Sequence, residues 1–213
     1  MADIFHEVEE DLRRDQALAI WKKYGNYIIA AALLVVLAVA AFWGWREYTT
    51  RQQLQASADF LSAEAAADAK QKEAAFGALA TTGGSYGVLA RFQLASIANE
   101  AGELDKARGI LGELAKDQSA DKALRDLAAI QAALIDLQQG KAQSAADQVK
   151  DLTKEGEAYR LSALEITALA HLAAGDKNKA KAGFEELKKL AATDAPGAGL
   201  ARRADQMLDR LAN

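Results

Sequence analysis

The chain has 213 residues, with 26 Lys and Arg against 30 Asp and Glu, and its formal net charge at pH 7 is -4. It contains no cysteine, which excludes a disulfide framework, a thiolate zinc site, an iron–sulfur cluster and a cysteine nucleophile. The acidic balance argues against a nucleic-acid-binding protein, and two histidines leave little material for acid–base catalysis at neutral pH. One proline in a chain rich in Ala, Leu, Glu, Lys and Gln predicts an all-α protein.

Residues 1–26 are predicted to form a short N-terminal tail. Ile4, Phe5, Val8 and Leu12 have the spacing of one face of a helix. This helix either docks on a membrane surface or a partner, or only leads into the segment that follows it. The many acidic residues of the tail weaken a role at lipid headgroups.

The clearest feature is an uncharged apolar stretch from Tyr27 to Trp45. At a rise of about 1.5 Å per residue it forms about 28 Å of helix, close to the thickness of the hydrocarbon core of a lipid bilayer. Aromatic side chains flank both of its ends, as they do at membrane interfaces. The predicted interface anchors are Trp21, Tyr24, Tyr27, Trp43, Trp45 and Tyr48. We therefore predict a single transmembrane helix over residues 27–45.

A cleaved signal peptide is the alternative interpretation of this stretch. Signal peptides have a short basic region and then a small-residue cleavage site beyond the apolar run. Here the preceding region is long and acidic, and the candidate site Ala38-Val39-Ala40 lies inside the apolar run. A signal anchor that stays in the membrane fits the sequence better.

The basic residues near the span predict its orientation. More of them precede the span than follow it, in the sets Arg13, Arg14, Lys22 and Lys23 before it and Arg46 and Arg51 after it. This bias places the N-terminus in the cytoplasm and the C-terminal domain outside. In a bacterium these sides correspond to the cytoplasmic and periplasmic faces of the inner membrane.

Residues 46–213 contain an internal repeat. We expect the membrane helix to continue to around Ala67 and a second helix to cover Lys72 to Ala80, before a break at Gly83-Gly84. Beyond the break a small residue, a glycine, an alanine and a large apolar residue recur at constant offsets. The three copies are Ala95, Gly102, Ala107 and Leu111; Ala133, Gly140, Ala145 and Val149; and Ala168, Gly175, Ala180 and Phe184.

A period near 34 residues with two helices per repeat is typical of a tetratricopeptide solenoid. Its helical hairpins stack because one hairpin cannot bury its apolar face alone. We predict three to four such repeats, the first of them imperfect and formed by the stalk helix with residues 74–80, and a capping helix from Pro196 to Asn213. A helical bundle without true repeats is the alternative.

A possible catalytic motif is Gly83-Gly84-Ser85-Tyr86-Gly87, which matches the G-x-S-x-G nucleophile elbow. An elbow needs a strand before the serine, but the preceding residues have a helical pattern, and the only histidine after the span is His171. We favour a loop in which Ser85 caps a helix that starts near Tyr86. The sequence predicts no enzyme, metal site or cofactor, and an esterase stays as a hypothesis to test.

In a tetratricopeptide array the first helix of each hairpin lines a groove that takes a peptide or a partner helix. The repeat register places ten residues there: Phe92, Ser96, Asn99, Glu100, Ile130, Leu134, Leu137, Gln138, Glu165 and Leu169. Leu172 either joins them or packs against the closing helix. Because the set lacks the Lys and Arg that hold a carboxylate, we predict binding of hydrophobic peptides or partner surfaces.

The tail DIFHEVEEDLRRDQ, the WKKYG run, the GWREY exit from the span and the degenerate repeats resemble one known family. The chain is similar to the YfgM-like, membrane-anchored tetratricopeptide proteins of Gram-negative bacteria, above all their alphaproteobacterial branch. The resemblance implies a non-enzymatic ancillary subunit of the Sec translocon, working with translocon subunits, periplasmic folding factors, chaperones and exported clients. A cell-envelope or cell-division scaffold with the same architecture is the alternative, and a homo-oligomer is left open.

Overall fold

The computed structural model describes the backbone of residues 2–192 and 197–212, with the side chains of residue 18, residues 21–192 and residues 197–212. This part of the chain is all-helical and has no β-strand, which confirms the predicted fold class. A 3-10 helix at Lys150–Thr153 links the sixth and seventh α-helices. The α-helices are α1 (Ala2–Glu64), α2 (Ala69–Ala80), α3 (Gly84–Glu100), α4 (Leu104–Leu114), α5 (Lys122–Gln138), α6 (Ala142–Val149), α7 (Arg160–Ala173), α8 (Lys177–Ala191) and α9 (Ala198–Ala212).

The chain divides into two compact units, Met1–Gln55 and Ala56–Asn213. The first unit consists of the N-terminal part of α1. Among the described residues, only the stretch Trp21–Glu64 is long and apolar enough to cross a membrane, and no residue of its most apolar window is buried. The tail face predicted from Ile4, Phe5, Val8 and Leu12 lies outside the described side chains.

The second unit is a row of helical hairpins. Each helix from α2 to α9 packs against the next one along the chain, so that α3–α4, α5–α6 and α7–α8 form three hairpins. The first helices α5 and α7 also contact each other, and α7 in turn contacts α9. The last helix, α9, therefore occupies the place that the first helix of a further hairpin would take.

The three first helices end in the same backbone turn. Gly102, Gly140 and Gly175 have φ values of 77, 74 and 82°. The amide of the residue after each glycine donates to a carbonyl five positions earlier, over 2.8, 2.8 and 2.9 Å. This is the Schellman motif, in which glycine adopts the left-handed conformation without the penalty of a Cβ atom. The recurring glycine therefore ends the first helix of each repeat.

The other three positions of the repeat form the core. All nine of their side chains are 2% exposed or less. Helices α7 and α8 come close together at Gly183, where an added Cβ atom would lie 2.9 Å from the Cβ of Ala168. Small residues thus let the helices of a hairpin come together, while Leu111, Val149 and Phe184 fill the interior behind them.

The end of α1 and α2 form an incomplete first hairpin. The ring of Phe60 in α1 packs edge-on against Phe76 in α2, with centroids 5.2 Å apart, and lies 5.8 Å from the ring of Tyr86. Phe76 precedes Leu111 by one repeat length, which places Phe60 at the position that is Ala95 in the next hairpin. A large aromatic residue therefore replaces the small one, and the register is hard to see in the sequence.

A buried polar network joins α4, α5 and α6. The carboxylate of Asp136 has no exposed surface. It accepts hydrogen bonds from Arg108 Nε at 3.2 Å, from Arg108 Nη2 at 3.2 Å and from Ser144 Oγ at 2.7 Å. A buried carboxylate is tolerated when it is paired and hydrogen-bonded in this way, so this network fixes how neighbouring hairpins stack.

Candidate functional site

The ten residues predicted to line a groove lie on the first helices α3, α5 and α7. Relative to the small residue of each repeat, they occupy offsets -3, +1, +4 and +5. Together with offset -6 these positions form what we call the first-helix face. The structure exposes half of the predicted set: Ser96, Asn99, Glu100, Leu134 and Gln138. Phe92, Leu137 and Leu169 are half-buried against the hydrophobic clusters beneath them.

One predicted groove residue, Ile130, is only 6% exposed. It packs in the cluster that contains Val149 and Ile166, between the second and third hairpins. The equivalent residue of the first hairpin, Phe92, keeps partial exposure. Because α7 packs directly against α5, Ile130 contributes to the core between hairpins.

The first-helix face of the third hairpin is covered by α9. Leu169 and Leu172 pack against the cluster that α9 joins through Leu200, Met207, Leu208 and Leu211. Arg203 of α9 donates to Glu165 of α7 through Nε at 2.6 Å and Nη2 at 2.9 Å. The hydrogen bond to Glu165 raises the pKa of Arg203. Leu172 therefore belongs with the closing helix, and Glu165 is engaged within the chain.

The exposed large apolar side chains of the second unit fall at repeat-related positions. Among its described residues they are Leu61, Leu89 and Leu134, with exposures of 62, 38 and 47%. Leu61 and Leu134 directly follow the small position of their hairpins, and Leu89 occupies offset -6. All three lie on the first-helix face. The second helices of the hairpins present no such side chain within the described part of the unit.

Leu61 and Leu89 are absent from the groove predicted from the sequence. Leu89 precedes Phe92 by three residues and Ser96 by seven, so helical spacing alone places these three on one face. The repeat position of Leu61 is not evident from the sequence, because its hairpin carries Phe60 at the small position and Ala67 where the other hairpins have glycine. Only the packing of Phe60 against Phe76 reveals its register.

The charged residues of the first-helix face are all acidic. They are Glu64, Glu100 and Glu165, at offsets +4, +5 and -3. Glu100 accepts a hydrogen bond from Ser96 Oγ at 3.2 Å. Within the described residues neither Glu64 nor Glu100 forms an ion pair, whereas Glu165 is paired with Arg203. The open part of the face therefore combines leucines with uncompensated carboxylates.

The predicted membrane-interface anchors all lie on α1 and are exposed: Trp21, Tyr24, Tyr27, Trp43, Trp45 and Tyr48. At a rise of about 1.5 Å per residue, the two inner aromatic residues of the set stand about 24 Å apart along the helix. The ammonium of Lys23 lies 5.2 Å from the centroid of the Tyr24 ring. This spacing is somewhat shorter than the roughly 30 Å hydrocarbon core of a bilayer, and α1 is a candidate membrane span by its length and composition.

The G-x-S-x-G segment does not form a nucleophile elbow. It follows helix α2 and not a strand, through Gly83 and Gly84 with φ values of 70 and 68°. The prediction that Ser85 caps the next helix is wrong, because α3 begins at Gly84 after an N-terminal cap at Gly83 that makes no side-chain hydrogen bond. Over the described residues, no group of His, Cys, Asp and Glu side chains is arranged to hold a metal ion.

The stacked hairpins and their exposed first-helix face define a helical-repeat protein of the kind that binds other proteins. The sequence matches the family described as "Tetratricopeptide repeat-like domain" over residues 19–211, and the chain belongs to this family. The fold is similar to the crystal structure of PcrH from Pseudomonas aeruginosa, with a TM-score of 0.52 and 22% sequence identity over 61% of this chain and 95% of that chain. At this identity the likeness concerns the fold alone. The curated proteins contain no match to this chain.

Proposed function

We propose that the chain is a non-enzymatic, membrane-anchored scaffold whose repeat domain, residues 46–213, binds protein partners on the first-helix face. The observation that carries this proposal is the placement of Leu61, Leu89 and Leu134, the exposed large apolar side chains among the described residues of the second unit. Covering apolar surface is favourable by about 25 cal/mol per Å². Leucines that gather on one side of an array therefore mark a surface that a partner can cover.

The anchoring is proposed from the first unit. Residues 27–45 cross the bacterial inner membrane as a signal anchor, with residues 1–26 in the cytoplasm and the repeats in the periplasm. Two observations support a span: the most apolar window of α1 buries no residue in protein, and aromatic anchors flank that window. The orientation follows from the excess of Lys and Arg before the span.

The partners of the repeat domain are proposed from a resemblance in sequence. We propose an ancillary role at the Sec translocon, where the repeat domain links translocon subunits to periplasmic chaperones and exported clients. Its support is the resemblance of the tail, the span and the GWREY exit to YfgM-like proteins. A coordinating scaffold of the cell envelope or of cell division would use the same face with other partners.

Photocrosslinking in native membranes tests the partner proposal. A photoreactive amino acid is placed at Leu134 on the first-helix face and, in a matched variant, at Gln143, which is exposed on the second helix α6. We expect crosslinks at Leu134 to translocon subunits or folding factors, and none of these at Gln143. Equal crosslinking at both positions would remove the first-helix face as the binding site. Crosslinks from Leu134 to division or cell-wall proteins alone would replace the translocon by the alternative scaffold.

Protease accessibility tests the orientation. We expect digestion of the repeat domain in spheroplasts and its protection in inverted membrane vesicles. The reverse pattern would place the repeats in the cytoplasm and end the periplasmic part of the proposal.

A further inference from the structure

The C-terminal helix α9 shows how an adjacent helix engages the first helix of the third hairpin. At the third hairpin the position after the small residue is Leu169, the equivalent of Leu61 and Leu134. Leu169 is covered because α9 places an apolar stripe in the same hydrophobic cluster. The remaining α9 residues carry the charges, and one of them, Arg203, reaches Glu165 with two hydrogen bonds. An amphipathic helix with leucines and an arginine thus covers one end of the face.

The hairpins that α9 does not contact also present leucines and a carboxylate on the first-helix face. Leu61, Leu89 and Leu134 are exposed leucines, and Glu100 is a carboxylate without an ion pair among the described residues. No Lys or Arg occupies any of the five offsets of the first-helix face in the second unit. An acidic partner would therefore meet uncompensated negative charge, whereas a basic partner would be attracted.

We propose that the open part of the first-helix face binds an amphipathic helix of a partner protein, with Leu or Met on its apolar face and Lys or Arg beside it. This inference rests on the proposed function and adds the chemistry of the partner. The partner helix covers the exposed leucines, and its cation pairs with Glu100. The pairing of Arg203 with Glu165 shows that a carboxylate on a first helix can take an arginine from an adjacent helix. Such recognition of an amphipathic helix by an apolar groove uses leucine anchors at helical spacing.

The test uses the full chain in nanodiscs of zwitterionic lipid, with the signal of empty nanodiscs subtracted. The probe is a fluorescent 18-residue helical peptide of Leu, Ala, Gln and Arg, designed with one apolar face. One twin has every Arg replaced by Glu, and a second twin carries two central prolines that prevent a helix. Fluorescence anisotropy at low salt gives the three dissociation constants.

We expect the Arg peptide to bind at least about tenfold more tightly than the Glu twin and the proline twin. Leu134→Ser weakens the Arg peptide about tenfold, since a large apolar side chain no longer becomes buried. Glu100→Lys weakens it about fivefold, and added salt reduces this difference. The matched variant Glu113→Lys alters an exposed carboxylate of α4 that also lacks an ion pair in the described structure, and we expect it to leave the affinity unchanged. All of these side chains are exposed, so thermal unfolding is expected to stay the same.

Several results would overturn the inference. Equal affinities for the Arg peptide and the Glu twin, both weakened by Leu134→Ser, would refute the basic chemistry while the first-helix face stays a binding site. Equal affinity for the proline twin would refute the helical form of the partner. Binding of none of the peptides, while crosslinks form at Leu134 in membranes, would refute the partner chemistry alone. A dimer that Leu134→Ser converts to a monomer without any peptide would identify the occupant as a second copy of the chain.

Discussion

The close contact between α7 and α8 predicts that replacing Gly183 by alanine destabilises the protein. In the interior of a helix, Gly→Ala normally stabilises, because alanine loses less backbone entropy on folding. At Gly183 the new Cβ would stand 2.9 Å from Ala168 Cβ, whereas ordinary contacts are 3.4–4 Å. The two helices must therefore separate, and we expect Gly183→Ala to destabilise the repeat domain.

The magnitude follows from two opposing terms. Helix propensity favours alanine by about 0.8–1 kcal/mol, and overpacking a tight contact costs about 1–3 kcal/mol. The net effect expected for Gly183→Ala is a loss of up to about 2 kcal/mol from the free energy of unfolding. Gly109 in α4 is the matched control, because a Cβ there meets no atom within 4 Å. We expect Gly109→Ala to stabilise by about 0.8–1 kcal/mol.

Urea unfolding of the full chain in a mild detergent, followed by circular dichroism, measures both variants. A second substitution, Ala168→Gly, removes the opposing Cβ and is expected to recover most of the stability lost in Gly183→Ala. If Gly183→Ala stabilises the domain as much as Gly109→Ala does, the helices are not in close contact. The account of the small residues as spacers would then be refuted.

Two further predictions concern buried and paired charges. Asp136→Ala leaves Arg108 without its carboxylate and is expected to cost about 2–4 kcal/mol of unfolding free energy in urea, whereas Ser144→Ala removes one hydrogen bond and costs about 1 kcal/mol. Hydrogen bonds from Ser119 and the guanidinium of Arg91 lower the pKa of Asp117 from 3.8 to about 2. This depressed pKa stabilises the fold above pH 3.8, and the contribution is lost as the pH falls toward 2. We therefore expect Asp117→Asn to flatten the loss of stability over that acid range, as measured by thermal unfolding.

Specific results would contradict the predictions for Asp136 and Asp117. Equal effects of Asp136→Ala and Ser144→Ala would show that the carboxylate is not the centre of the network. If Asp117→Asn loses stability at acid pH as steeply as the unmodified protein does, another carboxyl group controls the stability in that range.

The repeat architecture was predictable from the sequence because its determinants are local. The glycine of each copy adopts a positive φ that other residues avoid, and the small and large apolar residues have fixed places around it. The apolar stretch of α1 was equally visible, since its length and flanking aromatic residues are read directly from the chain.

The features that could not be predicted from the sequence depend on how the helices pack against one another. Ile130 and Phe92 share an offset, but α7 packs against α5 and Ile130 enters the core. Leu61 escaped notice because Phe60 replaces the small residue of its hairpin. The helix start at Gly84 was missed since neither Gly83 nor Ser85 gives the usual side-chain cap. These outcomes follow from tertiary contacts and not from residue spacing.

The most direct test of the first-helix face as the partner site uses the absence of native cysteine. A single thiol is introduced as Leu89→Cys on this face or as Gln143→Cys on α6, and its labelling rate with a bulky maleimide is compared between native membranes and purified protein. The account predicts that Leu89→Cys is labelled at least several-fold more slowly in native membranes, while Gln143→Cys is labelled at the same rate in both. Protection of Gln143→Cys with free labelling of Leu89→Cys would contradict it.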